Sequence, residues 1–174
     1  MELYYKYQNQ FKHGDLIEFA SNSLIGKTIR FFTKKEVNHT SGVVLMSLVE
    51  DHEIRRYIWE ADEEGFHSTY LSDVVKNYNG KVYWLQLKEE YDNYRLQMIK
   101  EALTLDNKPY DYISLIRNAL KPVRLNSKNV FCSEAWHLAL QKVGLLSTDF
   151  NNGYALRPGE FDRTCLYNSP IRIH

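Results

Sequence analysis

The sequence has few cysteines, no excess charge of either sign and no long apolar run. Only two of its 174 residues are cysteine, which excludes a disulfide framework. Lys and Arg together number 22, as do Asp and Glu, so the formal net charge is zero. A chain that coats nucleic acid or anionic membrane over its whole surface needs a basic excess, so neither role is expected, although a local charged patch stays open. The longest apolar stretches are far shorter than the ~20 residues of a membrane-spanning helix.

The first twelve residues mix charged side chains with Tyr and Gln and contain no apolar run, so they do not resemble a signal peptide. We therefore expect a cytoplasmic protein with reduced thiols and no integral membrane segment, while peripheral contact with lipid stays open. The length and an apolar fraction of 44% predict one domain over residues 1–174. A core of this size needs no disulfide or metal.

Strand patterns dominate the first part of the chain and helical patterns the second. Period-two or β-branched stretches predict strands at 15–19, 39–48, 56–60 and 81–87, with one further short strand near the C-terminus. Helical periodicity predicts a short helix capped by Asn22 or Ser23, and helices over 90–106, over 112–120 and from residue 132 onward. This order predicts an α+β fold with an antiparallel sheet that packs against the last helix.

Cys132 lies where the last predicted helix begins. The free N–H groups and the positive end of the helix dipole at such a position favour a thiolate, which is the nucleophilic form of cysteine. The backbone N–H groups of Cys132 and Ser133 are the candidate oxyanion donors. The alternative reading is a small buried hydrophobe in a core helix, because free cysteine is among the most buried residue types.

A nucleophilic thiol needs a base, and His39 is the best candidate among six histidines because it opens an apolar strand. Glu60, on the following predicted strand, can hydrogen-bond the His39 ring if the two strands pair antiparallel, and Asp62 is the reserve candidate. The other histidines are expected before the first strand, in a charged turn, in a loop, on the far side of the last helix and at the terminus: His13, His52, His67, His137 and His174.

These features together resemble a known family, the circularly permuted branch of the NlpC-type papain-like cysteine hydrolases. This branch, the YiiX-like group, is distantly similar to the lecithin-retinol acyltransferases. His39 precedes Cys132 by 93 residues, which is the order of the permuted branch. The motifs that carry the resemblance are Gly14-Asp15-Leu16-Ile17, His39-Thr40-Ser41-Gly42-Val43-Val44, Glu60 on a strand, and Phe131-Cys132-Ser133-Glu134.

The resemblance implies a permuted papain-like fold in which Cys132 is the nucleophile, His39 the base and Glu60 the residue that orients it. It implies hydrolysis or transfer of an acyl group, from a peptide or a lipid-like compound, without a metal or organic cofactor. Candidate contacts to the substrate are Tyr110, Tyr112 and Asn126.

Two alternatives to a thiol hydrolase are carried forward. The first is a non-catalytic lipid- or peptide-binding module on the same fold. The second is a metal hydrolase, which the sequence disfavours because it lacks H-E-x-x-H, H-x-H and C-x-x-C motifs. A disulfide between Cys132 and Cys165 would remove the nucleophile and is not expected in a reducing compartment.

Overall fold

The computed structural model describes residues 1–47, 53–62, 65–105, 124–125 and 132–174. These residues form a six-stranded sheet in which every neighbouring pair is antiparallel, in the order β4–β3–β2–β1–β5–β6. The strands are β1 (Leu16–Ser21), β2 (His39–Ser47), β3 (Ile54–Asp62), β4 (Gly65–Tyr70), β5 (Gly80–Leu85) and β6 (Ile171–Arg172).

Five α-helices surround the sheet within the described residues, together with four short 3₁₀ segments. The α-helices are α1 (Glu2–Tyr7), α2 (Leu24–Thr33), α3 (Leu71–Asn77), α4 (Arg95–Leu103) and α5 (Cys132–Lys142). The 3₁₀ segments are Gln8–Gln10, Glu89–Tyr94, Phe150–Gly153 and Phe161–Thr164. Among these described helices, none is long and apolar enough to cross a membrane.

Successive residues of a strand point to opposite sides of the sheet, and apolar clusters cover both sides. On β1, Leu16 packs into a cluster with α4 and α5, and Ile17 packs into a second cluster with α1 and α3. The described part of the chain therefore forms three layers, with the sheet between two helical layers. The α+β architecture and the antiparallel sheet against the Cys132 helix, both predicted from the sequence, are confirmed.

Helix α5 packs very closely against β2 at Gly42. A Cβ atom built on Gly42 would lie 1.9 Å from Cζ2 of Trp136, which is 1% exposed. The indole of Trp136 in turn meets the ring of Trp59 on β3 edge-to-face, at 5.9 Å between centroids. This contact fixes the position of the α5 N-terminus relative to the first residues of β2.

Helix α2 connects β1 to β2 and begins as the sequence predicts. Ser23 is its N-cap, and the Ser23 hydroxyl accepts a hydrogen bond from the N–H of Gly26 at 3.1 Å. Its inner side carries Ile29, which is 5% exposed, toward the body of the molecule. The helix ends at Thr33, and Lys34 takes a left-handed conformation with φ of 55°.

The sequence prediction misses α1, β4 and α3, and its placement of His67 in a loop is wrong. His67 lies on β4, directly opposite Glu60 of β3. Strand β4 is at the edge of the sheet and no side chain from His67 to Tyr70 is fully buried, so the strand lacks the alternation that marks half-buried strands. The predicted helix over 90–106 begins as the 3₁₀ segment Glu89–Tyr94, and the predicted helix over 112–120 lies outside the described residues.

Candidate active site

Cys132 is the first residue of α5, and its thiol lies inside the protein. The residue is 1% exposed and packs with Ile29 of α2 and Ala155 of the C-terminal segment. Both Cys132 and the exposed Cys165 are free thiols, so no disulfide joins them. The thiol is thus held at a helix N-terminus, where the helix dipole favours a negative charge.

His39 is the first residue of β2 and lies between this thiol and a carboxylate. Its Nε2 atom is 2.8 Å from Oε2 of Glu60, and their side chains are 19% and 14% exposed. The antiparallel pairing of β2 with β3 brings the two residues together. Because Nε2 is engaged by Glu60, the ring nitrogen left for the hydrogen bond with the Cys132 thiol is Nδ1.

The charged forms of Cys132, His39 and Glu60 stabilise one another. Burial favours the neutral form of His39, but the charge and hydrogen bond of Cys132, together with Glu60, raise the pKa of His39 well above its ordinary value. Burial likewise opposes ionisation of Cys132, yet the charge and hydrogen bond of His39 lower the pKa of the thiol. Both shifts favour the thiolate and imidazolium over the neutral thiol and imidazole.

Two backbone N–H groups also point at the sulfur. Those of Thr40 and Ser133 donate hydrogen bonds to Cys132, and both lower the pKa of its thiol. Thr40 pairs with Glu18 of β1 on one side, whereas the pairing of β2 with β3 on the other side begins only at Gly42 opposite Trp59. Donors directed at one point stabilise negative charge there, as an oxyanion hole does.

The first turns of α5 are anchored to the C-terminal segment. The Ser133 hydroxyl donates to the carbonyl of Leu156 at 2.8 Å, and the N–H of Leu156 donates to Nδ1 of His137 at 3.2 Å. Burial lowers the pKa of His137 to about 4, so its imidazole is neutral at physiological pH. His137 therefore holds the helix in place rather than serving as a base for the thiol.

A second carboxyl group lies close to this site, next to β2. Glu18 of β1 is opposite Thr40 of β2 and is 3% exposed. Burial raises the pKa of Glu18 to about 7, although the N–H of Gly159 donates to its Oε1 at 2.9 Å. Glu18 borders a cavity of about 240 Å³, whose other lining residues include Lys35, Glu36, Tyr83, Gly159 and Asp162.

Of the residues singled out from the sequence, the structure brings together the side chains of Cys132, His39 and Glu60. Ser133 lies beside them as expected. Tyr110, Tyr112 and Asn126 lie outside the described residues, as does the side chain of Asp62.

Sequence reasoning missed two neighbours of the site. Nε2 of His67 is 3.9 Å from Oε1 of Glu60, and the Thr40 N–H reaches the sulfur. Neither carries a local signal, because His67 depends on the unrecognised strand β4 and the Thr40 N–H on the point where strand pairing begins.

Comparison with family models gives no match, and comparison with curated proteins gives none either. Among solved structures, the chain is similar to the crystal structure of metalloprotein yiiX from Escherichia coli O157:H7. The TM-score is 0.66 at 15% sequence identity, over 95% of this chain and 97% of that one. This chain has a yiiX-like fold.

The description of yiiX as a metalloprotein raises the question of whether the residues here suit a metal. Within 1–47, 53–62, 65–105, 124–125 and 132–174, no group of three or more His, Cys, Asp or Glu side chains is arranged to hold a metal ion. Cys132, His39 and Glu60 instead form a hydrogen-bonded row, an arrangement that can activate a nucleophile, and His67 lies beside Glu60 at its end.

Proposed function

We propose that this protein is a cysteine-dependent hydrolase or acyltransferase of the permuted papain-like type, distantly related to the lecithin-retinol acyltransferases. The observation that carries the proposal is the row of thiol, imidazole and carboxylate, with Glu60 2.8 Å from one ring nitrogen of His39 and Cys132 on the other. Nucleophile, base and orienting group in contact are the signature of covalent acyl transfer.

In the proposed reaction the Cys132 thiolate attacks the carbonyl carbon of an amide or ester. The carbonyl π electrons move to oxygen, and backbone N–H groups near the sulfur, those of Thr40, Cys132 or Ser133, hold the oxyanion. As the tetrahedral intermediate collapses, the bond to the leaving group breaks and the His39 imidazolium gives that group its proton. A thioester on Cys132 remains.

The second half of the proposed cycle releases the acyl group. Neutral His39 takes a proton from water, or from another hydroxyl or amine acceptor, as that molecule attacks the thioester carbonyl. The carbon–sulfur bond then breaks, the acyl product leaves, and the thiolate and imidazolium are restored. Glu60 stabilises the imidazolium and fixes the ring orientation throughout.

The first experiment measures whether Cys132 is activated. Alkylation by iodoacetamide is followed from about pH 5 to about pH 9 in two variants, Cys165→Ser and Cys132→Ser, so that each thiol is observed alone. We expect half-maximal reactivity of Cys132 at a pH below ~8.5, the ordinary value for a free thiol. The pH midpoint is compared, rather than the absolute rate, because Cys132 is buried and Cys165 is exposed.

The second experiment measures turnover on peptides, N-acyl amides, lipid esters and thioesters, with Cys132→Ala as the control. Accumulation of an acyl group on Cys132, detected by mass spectrometry, supports the proposal. A Cys132 midpoint at or above that of a free thiol, together with no turnover, contradicts it.

A non-catalytic binding module is the second candidate, because Cys132 is only 1% exposed and is buried in one cluster with Ile29 and Ala155. A lowered midpoint without acylation by any substrate class favours that alternative. In that case the Cys132→Ala variant should bind peptide or lipid ligands as the unmodified protein does.

A further inference from the structure

The outer face of α2 exposes large apolar side chains to solvent. Leu24 is 82% exposed and Phe31 is 77% exposed, which makes them the two most exposed large apolar side chains in the described part of the chain. Phe32 is 49% exposed, and its ring meets that of Phe31 edge-to-face at 5.4 Å. We call Leu24, Phe31 and Phe32 the α2 patch. Large apolar side chains exposed together on one helix, two of them in ring contact, indicate an interaction site.

Positive charge surrounds the α2 patch, although the whole chain is neutral. Residues 19–35 contain no Asp or Glu and four cationic residues: Lys27, Arg30, Lys34 and Lys35. Lys27 and Lys34 are exposed, and neither forms an ion pair within the part of the chain that the structure describes. These cations are available to an anionic partner.

We propose that the α2 patch docks onto an anionic phospholipid bilayer. Leu24, Phe31 and Phe32 would enter the boundary between headgroups and acyl chains, and Lys27 and Lys34 would pair with lipid phosphates. An apolar face bordered by lysines is the pattern of interfacial helices. A protein partner could cover the apolar side chains, but a bilayer satisfies these side chains and the surrounding unpaired cations at the same time.

The inner face of the same helix belongs to the cluster that holds Cys132. Ile29 shares this buried cluster with Cys132 and Ala155, so a bilayer bound to the outer face of α2 would lie on the other side of this helix from the cluster. The docking surface itself does not rest on the proposed function, because none of its residues belongs to the row of thiol, imidazole and carboxylate. If Cys132 is catalytic, docking explains how acyl chains of lipids reach it.

The test is co-sedimentation of the protein with vesicles of phosphatidylcholine alone and of phosphatidylcholine mixed with phosphatidylglycerol. We expect binding to the anionic vesicles that weakens as salt is added. A Phe31→Ser/Phe32→Ser variant and a Lys27→Gln/Lys34→Gln variant should each bind on the order of tenfold more weakly. Leu96→Ser is the matched control, since Leu96 is 62% exposed on α4, away from the patch.

Several outcomes would overturn the docking proposal. One is the absence of binding to anionic vesicles, and another is binding that the Phe31 and Phe32 changes affect no more than Leu96→Ser does. A third is self-association that the same changes abolish, which would assign the α2 patch to a second copy of the chain. Cys132→Ala should sediment like the unmodified protein, so loss of catalysis and loss of docking are separate results.

Discussion

The carboxylate of Glu60 controls the charge state of the proposed nucleophile through His39. Substitution of Glu60 by Gln keeps the size of the side chain but removes one of the charges that raise the pKa of His39. A less stable imidazolium stabilises the Cys132 thiolate less. We therefore expect the pH midpoint of Cys132 alkylation to rise, and acyl turnover to fall on the order of a hundredfold.

The proposed mechanism also gives the Glu60→Gln variant a distinctive pH profile. Turnover should be bell-shaped, because it needs a thiolate, whose pKa is lowered, and an imidazolium, whose pKa is raised. Removing the Glu60 charge should raise the pKa of the thiol and lower the pKa of His39, so the pH range of turnover becomes narrower at both ends. Glu89→Gln is the control, since the Glu89 pair with Lys12 is exposed at 3.8 Å and contributes little. An unchanged bell in Glu60→Gln would contradict the role given to Glu60.

Glu18 predicts an unusual dependence of stability on pH. Its pKa is about 7 in the folded protein, raised by burial from an ordinary value of 4.5. The folded protein therefore holds a proton on Glu18 that the unfolded chain releases between these values. Protonated Glu18 therefore adds about 3 kcal/mol to the free energy of unfolding. This stability is fully present below about pH 4.5 and is lost as the pH rises to about 7.

The Glu18→Gln variant isolates this effect, because Gln stays neutral and can still accept from the Gly159 N–H. We compare the free energy of unfolding of Glu18→Gln with that of the unmodified protein at each pH. The difference should favour the variant more at about pH 8 than at about pH 5, because only the unmodified protein loses stability when Glu18 ionises. Urea unfolding at the two pH values measures the difference, and the other titrating groups cancel in the comparison. A difference that does not change with pH would refute a raised Glu18 pKa.

At the scale of elements, the contact between α5 and β2 positions the sulfur relative to the imidazole. Gly42→Ala places a methyl group 1.9 Å from an atom of the buried Trp136 ring, so Trp136, α5 or β2 has to shift. We expect a loss of about 1–3 kcal/mol of unfolding free energy, and a Cys132 alkylation midpoint closer to that of a free thiol. Thermal unfolding and the alkylation profile measure the two effects.

Gly144→Ala is the comparison for this change. Gly144 follows α5 with a φ of 79° and has no atom near a built Cβ, so alanine there costs backbone strain without moving the helix. Its unfolding free energy should fall while the Cys132 midpoint stays in place. Equal midpoints in Gly42→Ala and the unmodified protein would show that this packing contact does not set the thiol geometry.

The elements that the sequence predicts are those in which buried apolar residues recur at a regular spacing. Strands β1, β2, β3 and β5 and helices α4 and α5 carry apolar residues at strand or helix spacing. Helix α3 was missed because its two buried residues, Leu71 and Val75, span a single turn. Strand β4 was missed because it is half-exposed at the sheet edge, and with it the approach of His67 to Glu60.

The candidate site was predictable to the extent that each side chain had a local marker. Cys132 begins a helix, His39 opens a strand, and Glu60 is a charge among apolar neighbours. The Thr40 N–H donor has no marker, because it depends on the residue at which β2 and β3 begin to pair.

At the scale of the whole molecule, one buried ion pair joins the sheet to the α4 side. Oδ1 of Asp15 accepts from Nη1 of Arg95 at 2.8 Å and from the N–H of Leu87 at 3.1 Å. Oδ2 accepts from Nε1 of Trp84 at 2.9 Å and from the N–H of Lys12 at 2.9 Å. The start of β1, the end of β5 and the start of α4 therefore meet at one carboxylate.

Removing one partner of this ion pair should lower the free energy of unfolding more than removing both charges. Arg95→Met leaves the Asp15 charge buried with no cation, and we expect a loss of about 3–5 kcal/mol in urea unfolding followed by tryptophan fluorescence. The double variant Asp15→Asn/Arg95→Met leaves no buried charge and should be more stable than Arg95→Met alone. Arg163→Met is the control, since the Arg163 side chain is 50% exposed and its pair with Glu160 contributes about 0–1 kcal/mol. If Arg95→Met unfolds at the same urea concentration as Arg163→Met, the ion pair does not hold the layers together and the core clusters alone do so.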